Sequence, residues 1–396
     1  MADLNELSAQ EIGRRLKLAR ENAGIRQEDA AQIIGMSRPT LVSIEKGMRR
    51  VRIQEIQILA RHYGISVNAL LRREAVHTDL MPRFRKLQDA EDKDSTEAIR
   101  QFNDLIKADV ELENTLGIER RRNYPPERGI NEGDVISLAE KHAKELRDWI
   151  GIGVGPIADI FSVIDSGLGI RLYQRRLSPN SKIAGLFTYD EAVGACIFLN
   201  ANHPLPRRVQ SAAHELGHFY GTRHNPEVLE EHENFLSRDE RYANAFGRAF
   251  LAPAESFADS FRQLKAITGK ITRRLIVLLS QQYNISRQAC TLRLEDLGLA
   301  KKGTWAWFEN NGGITEEHVR EVLGEMANRP DPAKHDADRV ISQRMSLMAH
   351  AAWKRELLSE GQLAELLRVG RVEMRRIIDQ IELEERETDG LLKLPE

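Results

Sequence analysis

HELGHFYGTRH, His214–His224, is the stretch on which the reading of the chain turns. His214 and His218 stand four residues apart. On a helix that spacing puts both rings on one face, where each can aim one ring nitrogen at a single ion. Glu215 lies one position round the helix. From there it reaches a water at the ion without being a ligand, which is the placement of a general base. Two histidines do not complete a metal site. The third ligand is open between His224, which extends the motif to H-E-x-x-H-x-x-G-x-x-H across Gly221, and a carboxylate further along the chain.

Downstream, RDERYANAFGRAFLAP (Arg238–Pro253) has helical character, with Asp239 and Glu240 near its start. Glu240 and Asn244 share a face at i, i+4. A glutamate from the next helix closes one class of zinc site, and an asparagine one turn on can orient a ligand. The His224 alternative calls for a methionine turn after the motif, and no methionine lies between Met81 and Met326. Upstream, GIRLYQRRL, AGLFTYD and ACIFLNA alternate as strands do and predict a small sheet before a helix that begins near Arg207. GIGVG (Gly151–Gly155) is read as a turn feeding a helix that ends at Gly167. It lacks a preceding strand, and Pro156 follows at once, so a phosphate loop is not expected. Tyr220 and Tyr242 could each donate to a developing oxyanion, core packing being the plainer reading. Cys196 is either a plain buried thiol or a cap on the metal.

Two motifs occurring together carry a resemblance. AAHELGH (Ala212–His218) followed by ERYANAFGRAFLAP (Glu240–Pro253) resembles the ImmA/IrrE family of metallo-endopeptidases, and IFLN (Ile197–Asn200) and Arg207, seven residues before His214, agree. The similarity covers about residues 156–253. It implies a zincin-like fold that binds zinc through His214, His218 and Glu240, with Glu215 as base. It also implies a protein substrate, commonly a repressor with its own helix-turn-helix, cut to relieve repression under stress or mobile-element induction. Gly247 and Ala252 stand where the family has alanine and a bulky apolar residue, positions expected to lie away from the metal chemistry.

Near the N-terminus, Ile12, Leu16 and Ala19 recur at helical spacing up to Asn22-Ala-Gly24. A second helix is expected from about Gln27 to Gly35. A third follows, capped by Ser37 with Pro39 in its first turn. Two short helices joined across G-M-S make a helix-turn-helix pattern. RQEDAA, GMS and TLVSIEKG (Thr40–Gly47) resemble the XRE/Cro-repressor family of DNA-binding domains. The resemblance implies an operator in double-stranded DNA, usually palindromic and read by a homodimer. By position, Arg38 and Ser43 would face base edges, and Gln27, Thr40 and Lys46 would sit near phosphates. Arg49, Arg50 and Arg52 form a local positive cluster suited to backbone contacts. Pro39 and Val42 leave few side chains for direct readout.

The rest of the chain bounds these readings. With 396 residues, two to four domains are expected. Its 58 Lys+Arg balance 60 Asp+Glu, so a nucleic-acid partner is argued from local charge alone. Two distant cysteines, Cys196 and Cys290, and the absence of an apolar leader or spanning run point to a reducing cytoplasm and no membrane partner. The expected fold is α+β and predominantly helical. An all-α helix-turn-helix domain occupies 1–72, a charged helical connector 73–133 with DAEDKDSTE (Asp89–Glu97) as its exposed turn, and a metallopeptidase domain with a small sheet 134–262. A helical extension with two helices around Y-N-I-S follows at 263–303, then a helical C-terminal module at 304–396. That module starts with a turn-rich link, GTWAWFENNGG, and contains a short-helix pair broken at Gly370. Two rival functions stand beside the DNA-binding peptidase. One is a transcription regulator whose zinc domain is structural or sensory; the other is an antitoxin-like regulator whose C-terminus binds a partner.

Overall fold

The computed structural model describes residues 9–63, 67, 70, 93–225, 227–230, 237–324 and 341–389. The start of the expected connector, 73–92, lies outside the described residues. The chain divides into two compact units, Met1–His77 and Thr78–Glu396. As expected, it is mostly helical, with one small sheet. Among the described residues no helix is long and apolar enough to cross a membrane.

The first unit holds α1 (Ala9–Asn22), α2 (Gln27–Ile33), α3 (Arg38–Glu45) and α4 (Ile53–Tyr63). Leu16, Ala19, Ala30, Ala31, Leu41, Ile44, Ile56 and Leu59 close its core. A buried ion pair crosses that core. Arg20 Nε donates to Glu45 Oε1 at 2.6 Å, with both side chains buried. The pair joins α1 to the end of α3, the second helix of the helix-turn-helix.

The second unit is built round a four-stranded sheet. Its strands are β1 (Arg171–Arg175), β2 (Ile183–Asp190), β3 (Gly194–Asn200) and β4 (Glu227–Glu230), in the order β1-β3-β2-β4. β1 runs parallel to β3, and the other pairs are antiparallel. The first three strands lie where the alternation predicts them. β4 was not expected, since its four residues carry too short a pattern to read.

The two faces of the sheet have different partners. Leu172, Phe187, Ala195, Ile197 and Leu199 join one core with α6 (Val135–Ile150), α7 (Leu205–Gly221) and α8 (Arg238–Leu251). On the other face, Tyr173 and Phe198 set their rings 6.0 and 5.6 Å from Phe102 of α5 (Lys93–Leu116). α5 is therefore a core helix, with Ile99, Phe102, Leu105, Ile106 and Leu112 buried. The described part of the expected exposed turn, from Lys93, is its first turn.

Beyond α8 the helices are α9 (Ala254–Thr268), α10 (Arg273–Gln282), α11 (Arg287–Asp296), α12 (Thr304–Asn310), α13 (Glu316–Leu323), α14 (Gln343–Lys354), α15 (Glu360–Leu366) and α16 (Arg371–Asp389). The turn-rich link at 303–313 is in fact α12, with Phe308 in the core. Its start is capped from outside. The Glu295 carboxylate accepts from the backbone N–H groups of Gly303 and Trp305, at 2.9 and 2.8 Å. A cap donated by another helix leaves no local signal to read.

Behind the sheet lies a buried ionic cluster. Arg171 Nη1 is 2.8 Å from Asp109 Oδ2, Arg120 Nη2 is 2.8 Å from Asp165 Oδ1, and Arg344 Nη2 is 2.8 Å from Glu113 Oε1. Tyr173 donates to Asp109 at 2.9 Å. Burial works against the Asp109 charge, but Arg171 and Arg120 outweigh it and hold the carboxyl below its ordinary value. Three acids and three arginines balance, and they join α5, β1 and α14. The Arg171→Ala variant strands buried carboxylates and is expected to lose about 3–5 kcal/mol of stability, read from urea unfolding of the full chain. A loss below about 1 kcal/mol, the scale of an exposed pair, would show that the cluster does not hold the sheet.

Candidate metal centre

α7 carries the histidines and α8 carries the glutamate, and the two helices cross closely. A Cβ on Gly217 would stand 2.8 Å from Ala243 Cα, and one on Gly247 would stand 3.1 Å from the backbone nitrogen of His214. Glu240, Ala243, Asn244 and Gly247 are spaced i, i+3, i+4, i+7, the inward stripe of a helix. Gly247, expected to lie away from the chemistry, instead backs the first histidine. Glu240 stands in the first turn of α8, where its backbone N–H donates to Ser237 Oγ at 3.1 Å.

The crossing brings three donor atoms together. His214 Nε2 and His218 Nε2 are 3.1 Å apart, and the Glu240 carboxylate lies 3.3 Å from the first and 3.2 Å from the second. Ligands at about 2.0–2.1 Å from a tetrahedral ion are separated by about 3.3 Å, so these three atoms form one face of such a site. The outer ring nitrogens agree with that use. His214 Nδ1 faces Asn244 Oδ1, and His218 Nδ1 faces Thr222 Oγ1, each at 3.2 Å. Protons on Nδ1 leave both Nε2 lone pairs aimed at the shared point.

Burial disfavours the cationic form of His218, as does neighbouring His214, against the pull of Glu240. For Glu240, burial opposes ionisation but the two rings outweigh it, and the carboxyl is held well below its usual range. A neutral His218 ring and an ionised Glu240 carboxylate are the ligand forms. Among the described residues, His214, His218 and Glu240 are the cluster that could hold a metal ion.

Glu215 is fully buried beside the triad. Its carboxylate packs against β2, where a Cβ on Gly185 would fall 2.4 Å from Oε1. Gly185 thus makes room for the acid. It was missed in the sequence, although a glycine inside a strand is the ordinary mark of close approach.

The remaining candidates lie elsewhere. His224 is exposed and 3.4 Å from Glu127 Oε2, with its ring against Tyr189. Its neighbour Arg223 explains the placement: buried, it donates to the carbonyls of Phe219 and Pro125 and stacks over the Phe219 ring at 4.2 Å. The chain after Gly221 is thereby pinned to the Asn123–Gly129 segment. Tyr242 OH lies 2.8 Å from His142 Nδ1, and Tyr220 OH donates to Glu145 at 3.0 Å, so both tyrosines bond to α6. Cys196 is buried on the α5 face of β3, away from the α7 face, and burial pushes its thiol up to about 12. In the glycine-rich turn the carbonyls of Gly153 and Gly155 accept from Arg147, which is no phosphate cradle.

In the first unit, Arg38, Lys46, Arg50 and Arg52 are exposed on and just after α3. Arg49 turns back onto Glu55 at 3.0 Å, and Gln27 donates to Glu45 at 2.9 Å. Thr40 Oγ1 bonds Ser37 Oγ at 2.9 Å, and Ser43 donates to the Pro39 carbonyl at 3.0 Å.

Metal content per chain separates the ligand assignments. Glu240→Ala is expected to abolish stoichiometric binding and His224→Ala to leave it unchanged, while Asn244→Ala weakens affinity about 10–100-fold. Metal lost from His224→Ala but kept by Glu240→Ala would reverse the assignment.

Comparison with known proteins supports the two-part reading. Residues 166–295 match the family model of the IrrE N-terminal-like domain, Peptidase_M78, and residues 11–73 match a helix-turn-helix domain. No curated protein matches. Among solved structures, the crystal structure of ComR from Streptococcus suis is 13% identical over 97% of each chain, with a TM-score of 0.16 that is too low to carry over its arrangement. The chain has the ImmA/IrrE architecture, an IrrE N-terminal-like metallopeptidase-type domain behind a helix-turn-helix DNA-binding domain.

Proposed function

We propose that this protein is a cytoplasmic, zinc-dependent endopeptidase joined to an operator-binding domain, and that it cuts a protein such as a repressor to relieve repression under stress or mobile-element induction. The observation that carries the reading is the triangle of two imidazole nitrogens and one carboxylate, with a second carboxylate buried beside it. A donor set of two nitrogens and one oxygen suits zinc, and three protein ligands are the mark of a catalytic rather than a structural site.

His214, His218 and Glu240 would hold the ion. Zinc, when bound, polarises a peptide carbonyl and brings the pKa of a water to about 7. The protein's own groups do the rest. Glu215 takes the proton of the attacking water and returns it to the leaving amine. Asn244 and Thr222 fix the tautomer and tilt of the two rings. Gly185 keeps the floor beneath Glu215 clear.

In the first unit, Arg38 and Ser43 are assigned to base edges, and Gln27, Thr40, Lys46, Arg49, Arg50 and Arg52 to the DNA backbone, in a homodimer on a palindromic operator. Binding there would raise the local concentration of peptidase around a repressor on the same site. Arg50→Ala and Arg52→Ala are each expected to reduce the salt slope of duplex binding by about 0.9. Unchanged slopes would remove these residues from the contact.

A second reading, a metal-sensing regulator with little turnover, rests on burial: His214, His218 and Glu215 are 2%, 1% and 0% exposed. Cleavage of an unstructured peptide pool, followed by mass spectrometry, separates the two. The peptidase reading expects Glu215→Gln to keep the metal and operator binding while cutting falls about 10²–10⁴-fold. A metal-loaded parent that cuts nothing in the pool and still binds its operator supports the sensor.

A further inference from the structure

Three segments of the chain share one backbone plan. They are α2–α3, α10–α11 and α15–α16. In each turn one residue takes the left-handed conformation: Gly35 (φ 65°), Asn284 (φ 52°) and Arg368 (φ 54°). The next N–H then closes onto the first helix, Met36 to the Ala31 carbonyl at 2.9 Å, Ile285 to Ser280 at 3.1 Å and Val369 to Ala364 at 3.0 Å. The second helix begins at an arginine each time: Arg38, Arg287 and Arg371. α1 packs on α3, and α14 packs on α16 in the same role.

The three differ in what their second helix leaves open. In α11, Ala289, Cys290, Thr291, Arg293 and Leu294 are buried, so that helix is spent on the core. In α16, Met374 and Ile378 are buried while Arg371, Val372, Arg375 and Arg376 face solvent. Counted from the first arginine, Arg375 and Arg376 stand where α3 has Val42 and Ser43. The N-terminal unit is poor in side chains that read bases; this one carries three arginines at the equivalent positions. Arginine is the residue that meets a guanine edge or a phosphate with two hydrogen bonds.

Their present partners are weak. Arg375 pairs with Glu360 at 2.9 Å and Arg376 with Glu373 at 3.5 Å, with the arginine side chains 67% and 74% exposed. Exposed pairs hold so little energy that phosphates can replace the acids. Val372, 70% exposed beside Arg371, offers an apolar contact of the kind a thymine methyl accepts. A helix presented in this way fits the major groove of B-form DNA; the deep, narrow groove of duplex RNA does not admit it.

We infer that α14–α16 is a second duplex-DNA-binding unit, with α16 as its reading helix and Arg371, Arg375 and Arg376 as its contacts. The inference is independent of the metal centre.

The test uses the full chain and 30-base-pair duplexes, one pool randomised at its centre and one of fixed sequence carrying 5-iodouracil for photo-cross-linking. Cross-links are expected in residues 368–380 as well as in 26–52. The R371A/R375A/R376A variant should lose the first set and keep the second. Its salt slope should fall by about 0.9 for each arginine that touched a phosphate. Selection should return two motifs with the parent and one with the variant. The R371K/R375K/R376K variant keeps the charge, so it should restore the slope without the guanine-containing motif. If the alanine variant is found by thermal melting to be misfolded, the parent's cross-link map and the lysine variant decide. Absence of cross-links in 368–380, or an alanine variant that selects and binds as the parent does, overturns the proposal and leaves the arginine face to a protein partner.

Discussion

The cluster of His214, His218 and Glu240 forms because α7 and α8 cross with almost nothing between them. Gly217 meets Ala243 backbone to side-chain stub, and Gly247 meets the backbone of His214. Only at that separation can a short carboxylate from the first turn of α8 reach two imidazoles on α7. The same crossing places Asn244 behind His214. Small residues at these positions are thus as much part of the site as its ligands. A bulkier residue at Gly217 would separate the helices and undo ligands and orienting groups together, because rigid packed elements move as wholes.

The sheet separates two kinds of chemistry. Towards α7 and α8 it offers a largely apolar floor, broken where Gly185 admits the Glu215 carboxylate and where Gln174 accepts from Arg208. Towards α5 it meets the Asp109–Arg171 cluster, where paired charges lie beside the packing of Phe102 on Tyr173 and Phe198. The ionic side also holds Arg344 of α14, so the last helical unit is tied to the back of the sheet through Glu113. Such clusters add little net stability over apolar packing, but they tolerate few rearrangements, since every unpaired member is costly.

One local plan, the short helix, left-handed turn and second helix, appears three times and is put to different uses. Burial of α11 makes one copy a packing element, while α3 and α16 keep exposed arginines in their first turns. Fold alone does not assign such a unit; the side chains left outside the core do.

Much of this was legible in the sequence. The i, i+4 histidines, the glutamate between them, the three strands before them and the capped helices after them all follow from local periodicity and composition. The N-terminal helix-turn-helix is equally local, since its turn is a short-range signal, although Ser37 stands at the N-cap position without a side-chain cap and bonds Thr40 instead. Tertiary structure decided the rest. It placed Glu240, and not His224, beside the two histidines, because Arg223 is pinned to Phe219 and Pro125 while His224 lies exposed against Glu127. It made a core helix of the charged segment after Lys93, because apolar residues spread over 24 positions only show their common face once the sheet is against them. It capped α12 with a glutamate from α11. In each case the deciding contact joins residues that the chain keeps apart, and periodicity carries no record of such a contact.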